Sequence, residues 1–509
     1  MSCIAIDGNS LTLDDVIEIA RNNVKVKLTD EAVKKARKSR AVVDEFVEKE
    51  EVIYGITTGF GELSNVYISK DKTEDLQKNL IFSHSCAVGE CFEEDISRAV
   101  MLLRANALAK GVSGIRLKTL NTLIEMLNKG VHPVIPQQGS LGASGDLAPL
   151  SHMVLVMLNE GEAIYKGKRM PGKEAMEKAG IEPVKLKAKE GLALINGTQI
   201  MTAVGALTVY DAINLIKLAE ISSALTLEAL NGITDAFDER VHKVRPHKHQ
   251  ISCAKNLLRL TEGSEYTTRQ GEVRVQDAYT LRCLPQIHGA SKDAIEYVEE
   301  KVEIEINSTT DNPLIFDEDK EVISGGNFHG QPMALPFDFL GMAIAELANV
   351  SERRIERLVN PNLSDLPPFL VGDVGVNSGF MITQYSAASL VSENKVLAHP
   401  ASVDSIPSSA NKEDHVSMGT TAARQTREIL NNTKHVLAIE LMAAAQAIDL
   451  RDESKQLGKG SEITYRSVRE VIDELCEDRI MNLDINKSVS LIEENVIVDA
   501  VEEEIGELH

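Results

Sequence analysis

Gln138-Gly139-Ser140-Leu141-Gly142-Ala143-Ser144-Gly145-Asp146-Leu147-Ala148-Pro149-Leu150 is the stretch on which the reading of this chain turns. Glycines at every third position from 139 to 145 precede an apolar run that predicts a helix from Leu147 to about Asn159, with Pro149 in its first turn. A phosphate loop would explain glycines ahead of a helix N-terminus. No Gly-Lys-Ser/Thr ending follows, however, and Asp146 would place a negative charge where phosphate should sit. A serine nucleophile at Ser144 would need the strand-turn-helix setting of Gly-x-Ser-x-Gly, which is missing. A tight turn capped by Asp146 is a third reading. The fourth accounts for the residue types one by one. If the backbone nitrogen of Gly145 attacks the carbonyl of Ala143 and two waters leave, a five-membered ring forms and Ser144 becomes an exocyclic methylidene. Glycine at the attacking position and small neighbours permit the compression this requires. The product, 4-methylidene-imidazol-5-one (MIO), is an electrophile built from the chain itself, a reactivity that unmodified side chains lack.

Outward from this loop the N-terminal part reads as mixed structure. Thr12 caps a first helix at Leu13–Ala20, a second runs from about Asp30 to Glu48, and Val52-Ile53-Tyr54 reads as a short strand entering the glycine loop 55–61. Helices follow over 91–130 up to the break at His132-Pro133 and Pro136, and 163–169 reads as a hairpin turning at Lys166-Gly167. From about Gly197 the pattern changes to long amphipathic helices. One has its apolar stripe at Leu340, Ile344, Leu347, Val350, Ile355 and Leu358 and stops at Asn360-Pro361; another runs through His435 to Leu450. Val302, Ile304 and Ile306 alternate with charged residues and read as a strand, and 313–323 reads as a hairpin around 317–320. The acidic C-terminus reads as a solvated helix face. The predicted fold class is mainly α: a mixed N-terminal domain over 1–196 carrying the electrophile loop, and a long helical-bundle domain over 197–509.

The 509 residues carry 54 Lys and Arg against 77 Asp and Glu, a net charge of −23, which argues against nucleic acid and against an anionic membrane surface. Aromatics are 4% and Trp is absent, so the core is built from aliphatic residues and leans helical. No apolar run approaches the roughly 18–20 residues of a membrane span, and the first residues lack the pattern of a secretory signal. Six cysteines without a Cys-x-x-Cys pair read as free thiols in a reduced, cytoplasmic setting. His247-Lys248-His249, the one close histidine pair, reads as a solvated turn; no metal is expected.

The segment 139–151 resembles the signature of the aromatic amino acid lyases, the histidine, phenylalanine and tyrosine ammonia-lyases. It is joined in matching order by residues 54–61, Asn196-Gly197-Thr198, the run from Gln276 to Cys283, Asn327-Phe328-His329 and the run from Glu413 to Gly419, so the resemblance covers essentially the whole chain. It implies elimination of ammonia from an aromatic α-amino acid by an MIO formed from Ala143, Ser144 and Gly145, with no external cofactor. It also implies a homotetramer whose active sites draw on three subunits. Tyr54 matches the β-proton base, a phenol that must be stabilised as phenolate to work at neutral pH. Arg282 matches the clamp on the substrate carboxylate, suited to a planar guanidinium. Asn196 matches a contact to the electrophile, Gln276 and Tyr279 polar lining, and Phe328 an apolar wall.

Two places bear on the choice of amino acid. Ser83-His84 is similar to the selectivity pair of the histidine members, where tyrosine and phenylalanine members typically carry His-Leu and Phe-Leu. Glu413 stands where those members usually carry an amide; a buried carboxylate wants a donor such as an imidazole N–H, and here it either binds the ring or assists proton transfer. Both imply L-histidine converted to trans-urocanate. Tyrosine or phenylalanine ammonia-lyase and 2,3-aminomutase chemistry share the same electrophile, and a non-enzymatic helical scaffold would leave the loop unexplained. Lys412, Thr57, Thr280 and Gly330 depart from residues common in the family.

Overall fold

The protein's computed structural model describes residues 3–53, 55–58, 68–69, 72–452 and 454–509. Tyr54 and the glycines at 59 and 61 lie outside them. The fold is mainly α-helical, with short strands. Residue contacts divide the chain into two compact units. The first is Met1–Leu207 with Glu299–Asp338 and Pro400–Arg424; the second is Thr208–Val298 with Phe339–His399 and Gln425–His509. The portion 1–196 therefore lies within the first unit, which also takes in two later segments that no linker marks in the sequence.

The first unit holds the strands. Cys3–Ile6 pairs in parallel with Lys25–Leu28, Val88–Cys91 pairs with Pro136–Gln138, and Val131–Pro133, Glu162–Tyr165 and Lys168–Pro171 form a three-stranded antiparallel sheet. The expected hairpin turns at Lys166 and Gly167, both at positive φ (50° and 71°) as a two-residue loop demands. A second hairpin joins Leu314–Phe316 to Glu321–Ile323. The helix Leu13–Ala20 begins with a reciprocal cap, Thr12 accepting from the Asp15 amide while the Asp15 carboxylate accepts from the Thr12 amide.

Three helices position the loop. Thr73–His84, Leu147–Met157 and Glu190–Ile195 pack on one another. The buried Gln77 accepts from the Gly191 amide at 2.7 Å and ties the first to the third. Leu147–Met157 is apolar nearly all round, burying Leu150, Met153, Val154, Val156 and Met157, so it is fixed in the core and its N-terminus presents the loop.

Two strand expectations are corrected. Val302, Ile304 and Ile306 belong to or directly follow the helix Leu284–Glu305. The spacing that is buried is the helical one, Val298, Val302 and Ile306, while Ile304 is 57% exposed. Val52 and Ile53 are not in a strand either; Ile53 donates to the Thr57 hydroxyl and accepts from the amides of Ile56 and Thr57, which spends its backbone on a turn. The membrane expectation is also revised. The helices Gln199–Ala229 and Gln331–Val359 are long and apolar enough to span a bilayer by length and composition, and their apolar windows are 78% and 67% buried within the protein.

In the second unit a fully buried ion pair organises the helices. Glu440 Oε1 accepts from Arg354 Nε (2.6 Å) and the Thr226 hydroxyl (2.8 Å), and Oε2 accepts from the second Arg354 nitrogen (2.8 Å) and the Ser351 hydroxyl (2.6 Å). With four donors the buried carboxylate is satisfied, the condition for tolerating its desolvation. The same unit brings Glu220, Cys253 and His288 together, buried. Glu220 is already committed to Lys292 (2.6 Å) and Asn256 (2.7 Å). All six cysteines are free. The acidic C-terminal helix, Val496–Ile505, is more than a solvated face: Ile497, Val498 and Val501 are buried and Glu502 pairs with Lys217 at 2.8 Å.

Candidate active site

The loop 139–146 is held by backbone and small side chains. Gly145 sits at φ +73° in a parallel bridge with Gly197, and a Cβ there would lie 2.2 Å from the Gly197 carbonyl oxygen, so only glycine fits. Gly142, at φ +64°, is closed in by Ser417, whose hydroxyl and amide both donate to the Gly142 carbonyl (2.9 and 3.3 Å). The Met418 amide donates to Leu141 (2.9 Å), and Ala143 packs in a small apolar cluster with Val416 and Met418. Gly330, one of the departures, stands where a Cβ would come within 2.6 Å of that same Ser417 hydroxyl.

Asp146 does not cap its own helix; no capping bond is made there. Its carboxylate reaches the N-terminus of Gln199–Ala229, where Oδ2 accepts from the amides of Ile200 (2.9 Å) and Met201 (3.0 Å). Oδ1 accepts from the hydroxyls of Ser140 (2.8 Å) and Thr420. Burial pushes the carboxyl above its ordinary value, and these four hydrogen bonds pull it back. One side chain thus ties the loop to two helix starts.

The structure brings two of the expected residues, Asn196 and Glu413, onto Ser144. The Asn196 side-chain amide donates to the Ser144 carbonyl at 2.9 Å, and the Ser144 hydroxyl donates to Glu413 Oε1 at 2.7 Å. Asn196 is fixed from behind by Arg104, which donates to its carbonyl and to Gln199 Oε1, both at 2.8 Å. Burial pushes the Arg104 guanidinium down to about 10, with Asp311 opposing. Glu413 is held by Ser408, whose hydroxyl donates to Oε2 at 2.9 Å while the two residues share an antiparallel bridge. Ser83 and His84 end the helix Thr73–His84, with Ser83 Oγ 3.1 Å from His84 Nδ1. Burial lowers the His84 pKa, and the Leu80 carbonyl and the charge of Glu413 raise it. Phe328 is half-buried in the turn before Gln331–Val359; its neighbour His329 stacks on His415 and points Nε2 at the His415 carbonyl (3.2 Å).

Gln276, Tyr279 and Arg282 belong to the second unit. There the Arg282 guanidinium lies over the Tyr279 ring, 4.7 Å from its centroid, and Tyr279 is 69% exposed. Tyr54 lies outside the described residues. Thr57 bridges Ile53 (2.9 Å) and the Glu51 carbonyl (2.5 Å).

The family model for aromatic amino acid lyases matches residues 11–470. This chain belongs to the aromatic amino acid lyase family. It is 69% identical, over 99% of both chains, to a histidine ammonia-lyase of Alkaliphilus oremlandii. Among solved structures it is similar to the histidine ammonia-lyase from Trypanosoma cruzi, with a TM-score of 0.92, 43% identity and coverage of 99% and 95%. It is also similar to the tyrosine aminomutase from Streptomyces globisporus, with a TM-score of 0.95, 40% identity and coverage of 99% and 100%. Lyases of this family depend in general on an MIO electrophile.

Sequence reasoning passed over the residues that hold the others in place. Ser408, Ser417, Thr420 and Arg104 touch the loop, Asn196 or Glu413, and none of them is assigned a role by the sequence, although Ser417 lies inside the matched run from Glu413 to Gly419. Ser408 lies in the serine-rich run before Glu413, which was the available signal; Arg104 sits in a helix whose pattern shows only a buried cation.

Proposed function

We propose that the protein eliminates ammonia from L-histidine to give trans-urocanate. The observation that carries this reading is the carboxylate of Glu413, held by Ser408 and set on the Ser144 turn within electrostatic reach of His84. A carboxylate and an imidazole beside the reacting turn suit a substrate ring that both donates and accepts hydrogen bonds. The Ser83 hydroxyl lies 3.1 Å from both the Leu80 carbonyl and His84 Nδ1, so it anchors one edge of the imidazole.

The residues present fit the family's MIO: glycine is obligatory at 145, Ala143 is packed in a small apolar cluster, and the Ser144 carbonyl has a donor in Asn196. When formed, that ring supplies an electrophile for the substrate, attacked by its amine or by its aromatic ring, which eases the departure of ammonia. Tyr54 serves as the β-proton base, and Asn196 orients the ring. Glu413 and His84 hold the imidazole, with Phe328 walling it. Arg282 clamps the carboxylate, with Tyr279 and Gln276 beside it. These last three come from a neighbouring copy in a homotetramer, a reading supported by a tyrosine left 69% exposed with a guanidinium stacked on it. A cytoplasmic setting is in keeping with six free thiols.

The test is near-ultraviolet absorbance with L-histidine, L-tyrosine and L-phenylalanine run in parallel and Ser144→Ala as control. Urocanate from histidine alone, lost in Ser144→Ala, is the expected result. Cinnamate or coumarate alone would overturn the substrate, and a β-amino acid product would replace elimination with a 2,3-amine shift.

A further inference from the structure

The turn that carries Phe328 and the segment that carries Glu413 are far apart in the chain, and one side chain joins them. His329 points Nε2 at the His415 carbonyl, 3.2 Å away and 86 positions along the sequence. Its ring also stacks on that of His415, with centroids 5.8 Å apart and planes within 8°. We infer that His329 is a positioning residue for the substrate ring: it fixes where the Glu413 carboxylate lies relative to the Phe328 side chain. The inference rests on the functional reading above, which gives Glu413 and Phe328 to the imidazole of L-histidine.

The hydrogen-bond pattern settles which nitrogen carries the hydrogen. The Gln331 amide donates to His329 Nδ1 at 3.3 Å, and a backbone N–H can only donate. Nδ1 is therefore the acceptor, and the hydrogen on Nε2 is left for the His415 carbonyl. Each ring nitrogen is spent on backbone, one on the Phe328 side and one on the Glu413 side. The His329 amide donates to the Gly326 carbonyl at 2.9 Å, which closes the turn in which Phe328 sits.

Glu413 and its segment have other ties, but these come from their own neighbourhood. Ser408 holds Glu413 Oε2 from five positions away, and the Ser405 hydroxyl accepts from the Val416 amide, eleven positions on, at 3.1 Å. Those bonds shape the segment without relating it to Phe328. His329 supplies that relation. The two segments also meet without slack, since a Cβ at Gly330 would come within 2.6 Å of the Ser417 hydroxyl. Backbone packed this closely passes a displacement at His415 on to Glu413, two residues before it, rather than absorbing it.

Steady-state kinetics of the purified full-length protein with L-histidine test the assignment. His329→Gln carries an N–H about as far from the backbone as Nε2, whereas His329→Asn is too short to reach the His415 carbonyl. Losing that donor should lower kcat/KM about fivefold to tenfold in His329→Asn and His329→Ala, while His329→Gln stays within about twofold of the wild type. In a Glu413→Gln background the same His329→Asn change should cost less than about twofold, because the group it positions is already gone. If His329→Ala fails to fold, the Asn and Gln variants, both polar and unbranched at Cβ, carry the comparison. Equal losses in the two backgrounds would overturn the proposal, since His329 would then act independently of Glu413. A His329→Gln as impaired as His329→Asn would overturn it too. A wild type that turns over L-tyrosine or L-phenylalanine and leaves L-histidine untouched would instead overturn the functional reading, and the proposal with it.

Discussion

Asp146 follows the Ala143–Ser144–Gly145 turn directly and Glu413 accepts from its serine, yet the two segments that supply them use a carboxylate in contrasting ways. Asp146 is fully buried and accepts four hydrogen bonds from neutral donors, two of them at the start of a long helix. Nothing in that arrangement is left over for a reacting atom. Glu413 is half-buried, takes one anchoring bond from Ser408, and turns its other oxygen to the serine that becomes the electrophile. The contrast separates holding a turn from acting on it: a saturated carboxylate fixes geometry, and an unsaturated one retains chemistry.

The contrast is broken most sharply at Glu413. Glu413→Gln should lower kcat/KM for L-histidine by about 10²–10⁴-fold while changing folding stability by less than about 1 kcal/mol. Steady-state kinetics beside urea unfolding reads both numbers; a large loss of stability would make Glu413 a structural group like Asp146. The converse variant, Asp146→Ala, strands the amides of Ile200 and Met201 in the interior and should cost about 3 kcal/mol of folding free energy, seen as a lower urea midpoint. Stability equal to wild type would mean that the four bonds hold nothing.

Smaller effects sharpen the picture. Ser408→Ala removes one donor to a carboxylate and leaves the turn intact, so kcat/KM should fall about tenfold with little change in KM. An unchanged kcat would remove Ser408 from the account. The smallest effect is on His84, which burial holds below the ordinary histidine value while the Glu413 charge pulls it up. Neutralising Glu413 removes the upward pull, so the His84 titration followed by NMR should move to lower pH in Glu413→Gln. A move to higher pH would contradict the upward pull assigned to the Glu413 charge.

Much of the fold was legible because local signals agreed with tertiary packing. Thr12 announces a helix cap that the structure contains, and Asn360-Pro361 marks the stop of a helix that ends at Val359. The failures have a common physical cause. Val302, Ile304 and Ile306 satisfy a period of two by accident, and only the burial of Val298 and Val302 with exposure of Ile304 reveals the helix. Asp146 sits at the start of a helix and reads as its cap, but its amide partners belong to residues 54 and 55 positions later. Such a bond leaves no periodic trace. The site was legible as a set of matched residues; the roles of the serines at 408 and 417 were not, since a hydroxyl that positions another group looks like any turn serine.

Everything described for the site follows from conversion of the turn 143–145 into the electrophile. Tandem mass spectrometry of the proteolytic fragment spanning 138–150 from the purified wild-type protein addresses it without reference to substrate. The expected fragment is lighter by two waters, with the backbone resistant to fragmentation between Ala143 and Gly145 and normal on either side. An unmodified Ala-Ser-Gly sequence in that fragment from active protein would contradict it.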